Sequence, residues 1–155
     1  MLRTVLDPEV PVLSVVELGI VRDVAVDDAG VTVTVTPTYS GCPAVQVIEQ
    51  DILAALAAHG VPAARVRTVF SPPWTSDWIP EEARAKLKAY GIAPPGPAPA
   101  DDGPLVPLLR RRETVACPFC DSPRTELKSE FGSTACKSIA YCTECRQPFE
   151  VFKAI

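Results

Sequence analysis

Two Cys-x-x-Cys pairs, Cys117-Pro-Phe-Cys120 and Cys142-Thr-Glu-Cys145, stand 21 residues apart near the end of the chain. Each pair can present two thiolates from one tight turn. Four thiolates from two such turns make the soft, tetrahedral donor set that zinc prefers. The spacing suits a zinc ribbon, with each knuckle at the tip of a hairpin. Phe149, Val151 and Phe152 follow the second knuckle and can pack, but so few apolar residues need a metal staple to fold. Four thiolates also hold iron–sulfur clusters, and the spacing leaves both open. Cys136 stands six positions before Cys142. Its first reading is packing; a role near the metal, with the neighbouring Lys137 tuning its thiol, is the rival.

The sixth cysteine, Cys42, lies far upstream in Thr36-Pro37-Thr38-Tyr39-Ser40-Gly41-Cys42-Pro43. This segment joins an alternating strand pattern to a helix pattern, so Cys42 should sit at a helix N-terminus. Unpaired backbone donors there favour thiolate, as a nucleophile or metal ligand needs. Asp7-Pro8-Glu9 offers two carboxylates that could supply oxygen ligands beside Cys42, or simply form a turn. No base pairs visibly with Cys42: the sole histidine, His59, falls at a helix end beside Gly60 and reads as a cap. That weakens a thiol-enzyme reading. Trp74 and Trp78, in the loop Ser71–Ile79, either anchor that loop or face a partner.

The elements that must hold these residues follow from period. Ser14 to Gly19 reads as a capped helical turn. Val24 and Val26 alternate with polar residues, Asp28-Ala29-Gly30 turns, and Val31 to Thr36 alternates again, which predicts a hairpin with one buried face. Val45, Ile48, Ile52 and Leu56 form a helical stripe, opened by Pro43 and closed by Gly60 and Pro62. Arg65 to Phe70 is a strand. A second helix starts at Pro80, with Glu81 and Glu82 in its first turn and Ala83, Leu87 and Tyr90 as its inner face. The predicted class is α+β: a small mixed sheet packed by helices over residues 1–92, a proline-rich linker over 93–107, and a four-cysteine zinc ribbon over 108–155.

The charge of −4 falls in the first hundred residues, and the rest is balanced. Neither part offers the basic field that nucleic acid requires; Arg110-Arg111-Arg112 reads as a solvated linker end. No apolar run is long enough for a membrane span, and the N-terminus lacks a secretory pattern, so a cytoplasmic protein is expected. A small sheet with an open edge also allows pairing with a second copy.

Asp7-Pro8-Glu9, Leu18-Gly19-Ile20-Val21, the Thr36–Pro43 segment and Pro72-Pro73-Trp74-Thr75-Ser76-Asp77-Trp78-Ile79 together resemble the PaaD (PaaJ) family. These are accessory components of the bacterial phenylacetyl-CoA epoxidase system. Their N-terminal part is similar to the iron–sulfur assembly domains that include SufT, and their cysteine-rich tail resembles Phe131 to Lys137 here. The resemblance implies maturation of the epoxidase's metal centres, with transient iron or an iron–sulfur unit carried at Cys42 and epoxidase subunits or their reductase as partners. A non-catalytic scaffold of the same complex is the alternative.

Overall fold

The structure, a computed structural model, describes residues 1–39, 41–98 and 115–155. Ser40, most of the expected linker and the Arg110–Arg112 run lie outside the described residues. The chain divides into two compact units, Met1–Lys86 and Leu87–Ile155.

In the first unit, β1 (Val21–Asp27) and β2 (Gly30–Val35) form the expected hairpin, in register from Asp27 opposite Gly30 to Asp23 opposite Thr34, with a shift before Val21 pairs with Val35. The chain then passes through α1 (Val45–Ala58) into β3 (Ala64–Thr68), which lies parallel to β2. A parallel neighbour needs such a crossover, and the helix supplies it. The sheet order is β1-β2-β3. The stripe read from the sequence is the buried one: Ile48, Ile52 and Leu56 on α1 meet the interior, as do Val33 and Val35 on β2. Gly60, at φ +83°, closes the helix.

The single buried face holds for neither strand: on β2 Val33 and Val35 are buried on one side, and Thr34, on the other, is buried as well. Val24 and Val26 stand opposite Val33 and Val31, hence on the same face, yet are 45% and 78% exposed. The helix lies against β3 and leaves the outer strand uncovered.

Much of this core comes from the irregular segment before β1. Val5, Val10, Leu13, Val15, Leu18 and Ile20 are all buried. Backbone bonds from Val15 N–H to the Val5 carbonyl and from Thr36 N–H to the Ile20 carbonyl (2.9 Å each) tie it in. Within it, Ser14 and Glu17 form a capping box. Glu17 Oε2 accepts the Ser14 N–H at 2.9 Å, and Ser14 Oγ accepts the Glu17 N–H at 3.2 Å. Gly19 ends that turn at φ +69°, where a Cβ would stand 2.9 Å from Trp78 Cβ.

The two tryptophans differ: Trp74 lies in the first unit's interior and Trp78 is only half-buried. Trp74 is buried and its indole N–H donates to the Leu18 carbonyl at 2.9 Å. The Arg22 guanidinium lies 3.5 Å from the centroid of the Trp78 ring. Trp74 therefore anchors the loop, as one of the two readings expected.

Helix α2 (Glu81–Tyr90) buries Ala83 and Leu87 as expected, but Tyr90 is 58% exposed. The inner face ends at Leu87, because Tyr90 is the helix's last residue and Gly91, at φ +92°, turns the chain away. Ile92–Ala93, β4, then pairs in parallel with β7 (Pro148–Phe152). The second sheet is completed by β5 (Thr125–Ser129) and β6 (Lys137–Cys142), in the order β4-β7-β6-β5. The residues just before the prolines are thus part of this second sheet. Its core is Ala93, Ala140, Phe149 and Val151 together with Cys117 and Cys142.

Candidate metal-handling sites

The four ribbon sulfurs converge. Cys117, Cys120, Cys142 and Cys145 place all their Sγ atoms within 4.8 Å of one another. The sulfurs of Cys117 and Cys145, and of Cys120 and Cys142, are 3.6 Å apart. A zinc–sulfur bond of about 2.3 Å sets tetrahedral sulfur–sulfur edges of about 3.8 Å, so the donor set fits such an ion. Cys117 and Cys142 are buried and Cys120 is exposed, so one edge of the site is rooted in the core. Burial, together with hydrogen bonding among the thiols, pushes Cys145 up to about 12. Four thiolates gathered this closely need a cation to share their charge. A bound zinc ion would supply architecture: it closes the two knuckles on each other.

Cys136 is apart from this group. It is buried, with its Sγ 3.1 Å from Thr134 Oγ1, as the packing reading expects. Lys137 turns elsewhere: its Nζ lies 3.0 Å from Glu150 Oε2.

Cys42 sits in the turn ahead of α1. Its N–H donates to the Tyr39 carbonyl at 3.2 Å, and its own carbonyl accepts from Val45 N–H at 3.4 Å. The thiol is half-buried. Burial pushes it above its ordinary range; the Ala44 N–H and the Thr38 hydroxyl pull it down, and the Glu9 and Asp7 carboxylates push it further up. The thiolate expected from the helix terminus is therefore not favoured. The helix proper begins only at Val45, and two negative charges bear on the sulfur.

Asp7 and Glu9 thus come within electrostatic reach of Cys42, from the other end of the irregular N-terminal segment. Asp7 is buried, and its Oδ1 accepts the N–H groups of Glu9 and Val10, at 2.8 Å each. That bonding fixes the turn that carries Glu9. Among the described residues these three do not form a preassembled ligand set like the ribbon's. One feature had no signal in the sequence: Thr36, at the head of the Cys42 segment, is 1% exposed and its hydroxyl lacks a hydrogen-bond partner. His59 is exposed, its Nδ1 2.8 Å from the Ala55 carbonyl oxygen, and caps α1 as read.

The fold and sites define a two-part protein: a β-hairpin and β-α-β domain with a lone thiol before its helix, followed by a four-cysteine ribbon. Residues 1–70 match the profile described as "Iron-sulfur cluster assembly protein", and residues 101–153 that described as "PaaD zinc beta ribbon domain". The chain is 42% identical over its whole length to the Escherichia coli (strain K12) protein that is named as the D subunit of 1,2-phenylacetyl-CoA epoxidase, and spans 90% of it. The chain belongs to the PaaD family. Its first part is also 42% identical over 89 residues to the Fe-S protein maturation auxiliary factor of Porphyromonas gingivalis, spanning 56% of this chain and 84% of that one. A crystal structure of a DUF59 domain of unknown function from Bacillus anthracis superposes with TM-score 0.52 at 32% identity, covering 56% of this chain and 83% of that one. No helix among the described residues is long and apolar enough to cross a membrane.

Proposed function

We propose that this protein is an accessory maturation factor that delivers iron or iron–sulfur units to the phenylacetyl-CoA epoxidase system of phenylacetate breakdown. In this reading Cys42 receives the cargo, with Glu9 beside it and Asp7 holding the turn. The ribbon cysteines keep a resident zinc ion for shape. The observation that carries the reading is the placement of Cys42. It alone among the six cysteines lies in the first unit, half-accessible, with two carboxylates bearing on it. Those carboxylates disfavour a bare thiolate, and the same charges favour a cation that replaces the proton. Kinship with an epoxidase component and with Fe-S maturation factors supports the choice of cargo and client. The partners are then epoxidase subunits or their iron–sulfur reductase, and the compartment is the cytoplasm.

Anaerobic reconstitution with ferrous iron and sulfide tests this. Wild-type protein should gain visible absorption and a Mössbauer signal beyond the ribbon's metal, and Cys42→Ser should not. Equal uptake by both proteins would remove Cys42 from the mechanism. Phe119 and Phe131, 57% and 70% exposed on the second unit, favour a second reading as a docking component of the complex. Epoxidase that stays active after this chain is stripped away supports maturation; a stoichiometric requirement supports the scaffold.

A further inference from the structure

Among the described residues β5 is the outer strand of the second sheet, and reversing its sequence exchanges an acid for a base about a central leucine. In Thr125-Glu126-Leu127-Lys128-Ser129, Leu127 is the centre, an acid and a base flank it, and a hydroxyl residue closes each end. Directly opposed residues in an antiparallel pair share a face of the sheet. A two-fold axis through the joint keeps each face on its own side, so a strand can meet its copy only in registers centred on a residue.

Three such registers centre on the inner residues of the strand and keep most of it paired, and charge separates them. Centred on Leu127, Glu126 opposes the copy's Lys128 twice over, and leucine meets leucine. Centred on Glu126, that carboxylate meets itself and Lys128 meets Arg124. Centred on Lys128, the ammonium meets itself and Glu126 meets Glu130. Like charges directly opposed destabilise a strand pair and unlike charges stabilise it, so one register is selected and its neighbours are excluded.

The side chains are placed for this. Glu126 and Lys128 share a face, with Nζ 2.6 Å from Oε2, and each side chain is more than half exposed. The Lys128 ammonium also lies 5.5 Å from the ring centroid of Tyr141, which opposes Glu126 on β6. The register between β5 and β6 slips between Leu127 and Ser129 and leaves Lys128 unmatched inside the sheet. Leu127, on the other face, is 37% exposed.

We propose that the protein pairs with a second copy of itself along β5, in the antiparallel register centred on Leu127, joining the two ribbon sheets into one. In the joint, each copy's acid–base pair becomes half of a four-charge cluster of alternating sign.

Sedimentation of the full-length, metal-loaded chain tests this. Wild-type protein should run at twice 16.6 kDa in the micromolar range. Glu126→Lys and Lys128→Glu should each weaken the dimer roughly tenfold or more and run toward the single-chain mass, with metal content unchanged. An equimolar mixture of the two should recover the doubled mass, because each supplies the charges the other lacks. The double exchange Glu126→Lys with Lys128→Glu should recover it alone. A wild-type monomer, single variants that stay dimeric, or a mixture that fails to reassociate would each overturn the proposal; in the first case the lysine and the slip merely blunt an edge.

Discussion

Asp121 and Arg146 occupy the same place in two copies of one turn. Each follows the second cysteine of its knuckle, and each adopts left-handed backbone, at φ +58° and +60°. The N–H of Asp121 donates to the Cys117 carbonyl at 2.9 Å, and that of Arg146 to the Cys142 carbonyl at 3.0 Å. The N–H of each first cysteine in turn donates at 3.0 Å to the next residue along, Ser122 in one knuckle and Gln147 in the other. The left-handed step lets the chain curl back so that two sulfurs face one ion.

Non-glycine residues adopt that conformation at a cost of about 1 kcal/mol. Asp121 has a compensating ion pair with Lys88. Arg146→Gly should therefore stabilise the ribbon by up to about 1 kcal/mol, since the turn's hydrogen bonds are made by the backbone and survive. Thermal melts of the metal-loaded protein measure it; a lowered midpoint would show that the arginine side chain contributes more than the strain it carries.

How much of this was legible depended on period. The alternation from Val31 to Thr36, the stripe Ile48-Ile52-Leu56 and the paired cysteines are regular, and strand, helix and knuckles form there, though Thr34 and Thr36 are buried along with the valines. The segment Val5 to Ile20 supplies six buried apolar residues from irregular backbone, where neither a 2.0 nor a 3.6 repeat can announce them. Two-residue β4 is too short to show any period, so its pairing with β7 could not be read. The upward push on the Cys42 thiol was hidden for a different reason. It comes first from burial and then from Glu9 and Asp7, and only the tertiary fold sets either.

Glu17 gives a pH dependence with a fixed sign. The bond from Lys86, then those from Ser14, hold its carboxyl at about 2 against an ordinary 4.5. The folded value is the lower one. The stabilisation is thus present above pH 4.5 and lost as pH falls toward 2. Lys86 is half exposed, so screening by water leaves about 1 kcal/mol of this. Glu17→Gln should lower stability by that amount at pH 7 and flatten its fall between pH 4.5 and 2. Urea melts at several pH values check it, and an unchanged slope would assign the acid sensitivity elsewhere.

Gly30 cannot be replaced cheaply. At φ +126°, its missing Cβ would stand 2.1 Å from the Ala63 carbonyl oxygen, which accepts the Val31 N–H at 2.9 Å. Gly30→Ala must push β2 from the start of β3 as well as strain the turn. The expected loss is roughly 3 kcal/mol. Chemical denaturation measures it; a loss under about 1 kcal/mol would mean that the hairpin tip shifts freely.

Removing the metal should unfold one unit and spare the other. Cys117 and Cys142 belong to the second unit's core, so their sulfurs are both ligands and packing. A strong chelator should abolish hydrogen-exchange protection in β5, β6 and β7, while α1 and β2 keep theirs. Retained protection in β6 with the metal gone would show that packing alone holds the ribbon.

The ion pair Lys137–Glu150 makes the last prediction. Lys137 is 4% exposed, and its Nζ lies 3.0 Å from Glu150 Oε2, while Glu150 Oε1 accepts the Ser133 N–H at 2.9 Å. Removing one member of a buried pair costs more than replacing it by an apolar side chain of similar shape. Lys137→Ala opens a hole and strands the carboxylate, and should cost about 3 kcal/mol. Lys137→Met fills the space, and its double variant with Glu150→Gln removes the stranded charge as well. The double variant should recover at least half of the loss. Denaturant midpoints of the metal-loaded proteins decide it: equal losses for Ala, Met and the double variant would mean that the lysine acts through neither its volume nor this carboxylate.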